Sequence, residues 1–419
     1  MPKSLDRNIR FLGIGAGIRA LGVAMLTPFI SIYLREVLDL GYLDIGLLLI
    51  VIGIVPLFVS PFGGLVTDRA GRRRLFLAML AVEAASIGLV ALSMSTGFVP
   101  GIIIAAAFAN LSGGALAGPA LAAYTADLTT VAERSQAFSW QRIGFNGGYV
   151  AGVTVGGYLT LALGYSAAGF VASAIMLAAA LLLALVLNPS PYDVARRRGA
   201  SPDGAQQTSG PTSVRDSLRI LMNDKVFLLL CLAFFLANLT EAQWANTLPL
   251  YIGPVLKLPN NIVGVALSLN GLIVVIGQNQ VTRWATGHLH TWSAGVSIIL
   301  YVVAYLSLGA LGLGWSGWGL IAAVMVTIIV LTVGENFAAI PTMTMPSNLA
   351  PLTEIGSYNG AFGLFAGAGY VFAPALGGAA LSASSNTLIA WALMMIPAAP
   401  AFVLFARLGK RIPKEVNTV

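Results

Sequence analysis

The chain of 419 residues is 57% hydrophobic and only 9% charged, against about a quarter charged in soluble domains, which excludes a soluble globular protein. The net charge of +7 is no nucleic-acid signature, because all Lys and Arg except Arg19, Arg35, Arg142 and Lys257 fall in the termini and in the loops of one membrane face. The single cysteine, Cys231, excludes an intrachain disulfide.

A membrane-spanning helix needs about 20 apolar residues, and the hydropathy breaks predict twelve spans, at roughly 9 to 34, 44 to 66, 75 to 96, 98 to 126, 138 to 163, 165 to 187, 226 to 252, 261 to 286, 293 to 312, 317 to 345, 356 to 383 and 386 to 407. These runs are too long, and alternate too little, for an outer-membrane barrel. The expected class is an all-α, multi-pass protein of the cell membrane with both termini cytoplasmic. The first stretch carries Arg19 and is too long for a signal-peptide core, so it is expected to stay as a helix. From Asn188 to Lys225 the composition turns to Pro, Gly, Ser and charge, which predicts a cytoplasmic linker. Residues 1–187 and 226–419 then form two six-helix halves. The run Arg196 to Arg198 in the linker suits anionic lipid headgroups or simple positive-inside anchoring.

Span 2 ends in GLVTDRAGRRR, from Gly64 to Arg74. Read physically, this is a tight basic turn: Gly71 allows a conformation that a Cβ resists, and the arginines hold the loop inside. The spacing of Gly64, Asp68, Arg69, Gly71, Arg72 and Arg73 resembles the signature loop G-x-x-x-D-R-x-G-R-R of the major facilitator superfamily (MFS). The resemblance implies the MFS fold, two six-helix bundles around a central cavity, and a cytoplasmic gate at this loop. Near it come Asp127, Glu133 and Arg134 before span 5 and Arg142 one turn into it. We expect Asp68 to face the N-terminal end of span 11 near Gly356, where the helix dipole favours an anion. Arg134 and Arg142 are expected to pair with Asp127, Glu133 or Asp68. The counterpart loop between spans 8 and 9 keeps only Arg283 and Gly287.

The halves repeat one another. Residues 126–157 align without a gap onto 347–378, placing Glu133 on Glu354, Gly148 on Gly369, Tyr149 on Tyr370 and Gly156-Gly157 on Gly377-Gly378. This is the pattern of a parallel repeat about an axis along the membrane normal. Small residues four apart, Gly148, Gly152, Gly156 and Gly157 in span 5 and Gly369, Ala373, Pro374, Gly377 and Gly378 in span 11, predict close helix packing. Span 5 also resembles the G-x3-GP-x2-GG signature of proton-coupled drug antiporters of that superfamily, with Val153 in place of its Pro. The Pro appears instead at Pro374.

Ionisable residues at bilayer depth are costly and face the bundle interior. Here they are Arg19 in span 1, Glu83 in span 3, Glu241 in span 7 and Glu335 in span 10. In the superfamily, spans 1, 4, 7 and 10 line the cavity, which implies Arg19, Asn110, Asn238, Trp244, Asn336 and Phe337 as substrate-cavity residues. A carboxyl at that depth is the physical requirement for proton coupling, so Glu241 and Glu335 are the proton-coupling candidates. Arg19 is expected to pair with a carboxyl in one conformation and to meet an anionic substrate group in the other, and Glu83 to play a structural part against a neighbouring helix. Asn110 stands where many antiporters of the superfamily carry an Arg in R-x-x-x-G.

No phosphate-cradling P-loop occurs. His288 and His290, two apart, do not share a helix face, and no metal site, cofactor or enzymatic centre is expected. The function expected is secondary active transport by alternating access: proton-coupled export of small amphipathic molecules, as in multidrug efflux. The alternatives are proton-coupled uptake of a polar or anionic nutrient anchored by Arg19, and lipid flipping. The expected partners are a small-molecule substrate, protons and the bilayer, with no nucleic acid, and a monomeric state.

Overall fold

The computed structural model describes residues 7–197, 214–351 and 354–419. Backbone polar groups in hydrocarbon must be satisfied within the chain, and the apolar runs accordingly form helices. Among the described residues eleven are long and apolar enough to span a membrane: Arg7–Glu36, Tyr42–Phe62, Arg72–Thr96, Val99–Asp127, Tyr165–Val186, Lys225–Val255, Asn260–Ala285, His290–Leu311, Gly317–Leu349, Gly356–Ala383 and Thr387–Arg411. They are spans 1 to 4 and 6 to 12 of the sequence. Span 5 is the helix Val131–Leu163, as long as the others. Its Gly, Tyr, Thr and Asn content makes it less apolar, because its small residues serve packing. Among the described residues no strand is present.

The chain forms two compact units. The first holds residues 1–38, 51–205 and 258–271, and the second 39–50, 206–257 and 272–419. Each unit thus takes in a short segment from the far side of the linker. In the first, Gly157 lies against the backbone of Asn260 and Asn261, Gly264 lies against Val153, and the Thr154 and Ser268 hydroxyls meet at 2.5 Å. In the second, Gly46 lies against Pro374 and Ala375, and Gly378 against Tyr42 and Leu43. None of these four glycine positions has room for a Cβ.

The repeat seen in the sequence is repeated in the packing. In the first unit span 5 crosses span 1 with Gly144 and Gly148 on Gly13 and Gly17, Gly152 on Leu21 and Gly156 on Met25. In the second unit span 11 crosses span 7 in the same register, with Gly369 on Phe235 and Asn238 and Gly377 on Thr247 and Gln243. The second crossing also carries hydrogen bonds, Asn238 Nδ2 to the Ala366 carbonyl at 3.1 Å and Gln243 Nε2 to that of Ala373 at 3.0 Å. In hydrocarbon, backbone approach and hydrogen bonds of this kind supply the association energy that apolar burial cannot.

Candidate functional site

In the first unit the deep charges neutralise one another. Arg19 Nε and Nη2 donate to Glu83 Oε2 and Oε1 at 2.5 and 2.8 Å, a two-point pair with 3% of the Glu83 side chain and 21% of Arg19 exposed. It stands beside Gly113 in the π-helical turn Leu111–Ala117 of span 4. A Cβ on Gly113 would strike both partners. Arg19 thus takes its carboxylate from Glu83 on the adjacent span 3, where the sequence reading looked to the carboxyls of spans 7 and 10. Asn110, just before the π turn, is exposed.

The second unit is arranged differently. Span 7 stops as a helix at Glu241, turns at Ala242 and resumes at Gln243. The half-buried Glu241 carboxyl accepts a hydrogen bond from Tyr370 Oη of span 11 at 2.7 Å. Its backbone carbonyl accepts from Tyr305 Oη of span 9 at 3.0 Å. Tyr301, one turn before Tyr305, is 1% exposed, and its hydroxyl makes no hydrogen bond of normal geometry although it stands beside the Glu241 carboxyl. All three tyrosines lie within electrostatic range of Glu335 as well. Spans 10 and 11 contain no Lys, Arg or His, and those of spans 7 and 9, Lys225 and His290, are their first residues. Glu241 lies 16 residues beyond Lys225, a distance of about 24 Å along a helix.

Tyr301 and Tyr305 were not singled out in the sequence, although they are four apart and so share a face of span 9, and Tyr370 entered there only as the repeat match of Tyr149. Of the expected cavity residues, Asn238 is taken up by its bond to span 11. Trp244 is half-buried just past the break. Asn336 turns towards span 8, its Nδ2 3.5 Å from the Ile273 carbonyl. Phe337 is 1% exposed and packs among Val281, Val333 and Leu300 with its ring edge-on to Trp292 at 5.9 Å. It is a core residue, not a cavity lining, because span 10 turns this face towards spans 8 and 9.

At the signature loop, Gly71 has φ 91°, the left-handed region open to glycine. Arg72 pairs with Asp127 and lies over the Tyr192 ring at 4.0 Å. Arg73 donates to the carbonyls of Leu187 at 2.9 Å and Ala184 at 2.6 Å. Asp193, from the start of the linker, accepts from the backbone N–H groups of Arg72 at 2.9 Å and Arg73 at 3.1 Å and so caps the helix of span 3. Gly64 and Arg69 are exposed. Two of the three partners expected for Arg134 and Arg142 are thus engaged elsewhere, Asp127 with Arg72 and Glu133 with its own helix start. Glu133 forms a capping box with Thr130, whose N–H and hydroxyl donate at 3.1 and 2.9 Å and hold this exposed carboxyl below its usual range. Arg134 and Arg142 are exposed. The side chain of Asp68, with its expected contact to span 11, the side chains of Arg196 and Arg197, and Arg198 as a whole lie outside the described residues.

Among the described residues no three of His, Cys, Asp and Glu cluster as metal ligands. Residues 12–374 match the family model of the Major Facilitator Superfamily. The chain is 25% identical over 388 residues to a "Na(+), Li(+), K(+)/H(+) antiporter" of Planococcus maritimus, covering 89% of each protein. It is 30% identical over 173 residues to "Multidrug resistance protein 2" of Bacillus subtilis (strain 168), 41% of each. Among solved structures, a POT family transporter complexed with 5-aminolevulinic acid superposes with a TM-score of 0.74 at 13% identity over 99% of this chain and 98% of the other. The nucleoside transporter NupG (D323A mutant) gives 0.72 at 12%, over 97% and 100%. At such identities the superpositions speak for the fold alone.

Proposed function

The chain belongs to the major facilitator superfamily, and on that premise we propose that it is a secondary active transporter driven by protons, exporting small amphipathic molecules across the cell membrane by alternating access. One observation carries the reading. Glu241 sits deep in a membrane span, where the helix turns at Ala242, and the side chains against its carboxyl are tyrosines. A carboxylate at that depth is expensive unless a positive charge neutralises it, and the four spans of the cluster bring none to that level. The neutralising charge is therefore mobile, a proton taken up on one side and released on the other. Glu335 is the second acid of the same cluster.

The first unit supports the division of labour. Its buried acid has a resident partner in Arg19, so it needs no proton. The same pairing counts against uptake of an anionic nutrient through Arg19, whose guanidinium is already occupied. The multidrug relative favours efflux, and the basic loops favour cytoplasmic termini.

The test is flux in proteoliposomes holding the purified full chain, with ethidium as the probe and an imposed pH gradient. Ethidium movement that follows the gradient, and falls about tenfold or more in Glu241→Gln or Glu335→Gln, supports the reading. Gradient-driven flux that both variants leave unchanged excludes proton coupling at this cluster.

A further inference from the structure

The segment that follows span 12 folds back onto the start of span 9. Lys414–Asn417 makes a short helical turn, and Leu289 and Thr418 then form an antiparallel β-bridge. The Val419 N–H donates to the His288 carbonyl at 2.9 Å, and the Gly287 N–H to the Val419 main-chain oxygen at 3.2 Å. Asn417 is 0% exposed. Its Oδ1 accepts from the Thr291 N–H at 3.1 Å and its Nδ2 donates to the Thr291 hydroxyl at 3.0 Å. It thereby serves a helix start whose own N-cap residue, Leu289, carries no hydrogen-bonding side chain. Asn348, near the end of span 10, donates to the Val416 carbonyl at 3.3 Å, and Val419 packs against the cluster of Ala285, Phe337 and Ile340. This short segment ties the ends of spans 8, 9 and 10 together.

The first unit is built alike. There Asp193, shortly after span 6, accepts from the Arg72 and Arg73 N–H groups at the start of span 3. Gly71 precedes that helix at φ 91°, and Gly287 precedes span 9 at φ 85°. In a repeat of six spans, span 3 is equivalent to span 9 and span 6 to span 12, so the segment leaving each half caps the third helix of that half. The two holds differ in strength. Around Asp193 stand the Arg72 guanidinium over Tyr192 and Arg73 on two carbonyls. The second hold has the bridge and neutral side-chain bonds, with Lys414, Glu415 and Thr418 exposed. Exposed backbone hydrogen bonds with few buried contacts mark the segments that open locally, and moving elements are drawn from them.

We propose that Lys414–Val419 is a releasable strap with Asn417 as its positioning residue, holding the loop between spans 8 and 9 to span 10 in one state of the transport cycle and letting go in the other. The inference rests on the transport reading above and not on its proton coupling. Alternating access requires the ends of spans to shift against one another. A link of hydrogen bonds across three span ends breaks and reforms where a covalent loop does not.

The first experiment measures amide exchange in the full chain in lipid nanodiscs. Gly287, Thr291 and Val419 are expected to open together, faster than the body of span 9. Asn417→Ala is expected to speed exchange at Thr291 about tenfold or more. Asn417→Asp is expected to keep it within about threefold of wild type, since a carboxylate fills this role at span 3. Unchanged exchange at Thr291 in Asn417→Ala removes Asn417 as the positioning residue, and amides that exchange only through global unfolding overturn the release.

The second experiment locks the strap. Opposed residues of an antiparallel bridge lie about 4.5–5.5 Å apart at Cα, within reach of a disulfide, so Leu289→Cys with Thr418→Cys in a Cys231→Ala background closes the strap under oxidant. In proteoliposomes the oxidised protein is expected to lose ethidium flux about tenfold or more, and reductant to restore it to within about twofold. A static strap would leave flux unaltered by the lock while the unfolding midpoint rises, and that result overturns the proposal. If neither wild type nor the reduced variant moves ethidium, the efflux reading falls and exchange alone decides the strap: joint opening of the three amides keeps it, and exchange only through global unfolding removes it.

Discussion

At Glu83 and Arg19 two charges inside the membrane are tolerated because each removes the other's cost. Breaking a buried pair from one side leaves an uncompensated charge, whereas replacing both partners by apolar groups of similar size is often nearly neutral. Glu83→Leu is expected to cost about 2–3 kcal/mol, less than for a dry pair because Arg19 keeps part of its side chain exposed. The double variant Arg19→Met with Glu83→Leu should recover most of that loss in thermal unfolding of the detergent-solubilised protein. Losses that simply add would show that the pair is not coupled. Glu133 makes a prediction of opposite kind, tied to pH. Its carboxyl is held low by the Thr130 N–H and hydroxyl, so its capping contribution is fully present above the unfolded-state value of about 4.3 and is lost as pH falls through the lower folded value. Amide exchange at Glu133 and Arg134 should therefore stay protected down to that acid range and then accelerate. In Glu133→Gln the acid-dependent step should vanish, and its persistence would place the titrating group elsewhere.

At the scale of elements, the crossing of spans 1 and 5 depends on which face of the helix a glycine occupies. A Cβ on Gly148 would collide with the Gly17 carbonyl, whereas one on Gly147 meets nothing within 4 Å. Gly148→Val is expected to cost about 3 kcal/mol or more by forcing the backbones apart. Gly147→Val should leave the unfolding midpoint near wild type, and equal sensitivity at the two positions would contradict the packing described here. The start of the linker is likewise an element of the fold and not a slack tether. Asp193 satisfies two N–H groups at the beginning of span 3, where helix-end donors and the dipole favour a carboxylate. Asp193→Ala should cost about 1–2 kcal/mol and speed amide exchange at Arg72 and Arg73. Unchanged exchange at those two amides would remove Asp193 from the signature-loop assembly.

For the whole molecule, each unit contains a segment that the chain contributes from beyond the linker, 258–271 in the first and 39–50 in the second. Fragments 1–205 and 206–419, expressed together as separate polypeptides, should therefore co-purify, and Gly264→Val, which has no space against Val153, should weaken their association. Two fragments that are each stable and fail to associate would refute that interdependence. Much of this architecture was legible in the chain by itself. Hydrocarbon forces every long apolar run into a helix, so length and hydropathy determined the helical class and the spans, and span 5 was found although its glycines dilute its hydropathy. The Gly71 turn and the internal repeat were equally readable, because a left-handed turn and a close helix crossing each restrict residue type locally. Partner choice was not. Which acid Arg19 would meet depends on the rotation of spans 1 and 3 about their axes. Whether Phe337 lines a cavity or fills a core depends on the face span 10 turns towards spans 8 and 9. Tyr301, Tyr305 and Tyr370 become one environment for Glu241 only when spans 7, 9 and 11 meet. Local sequence carries the helix and its small-residue face, while the convergence of side chains far apart in the chain is decided by how those faces pack.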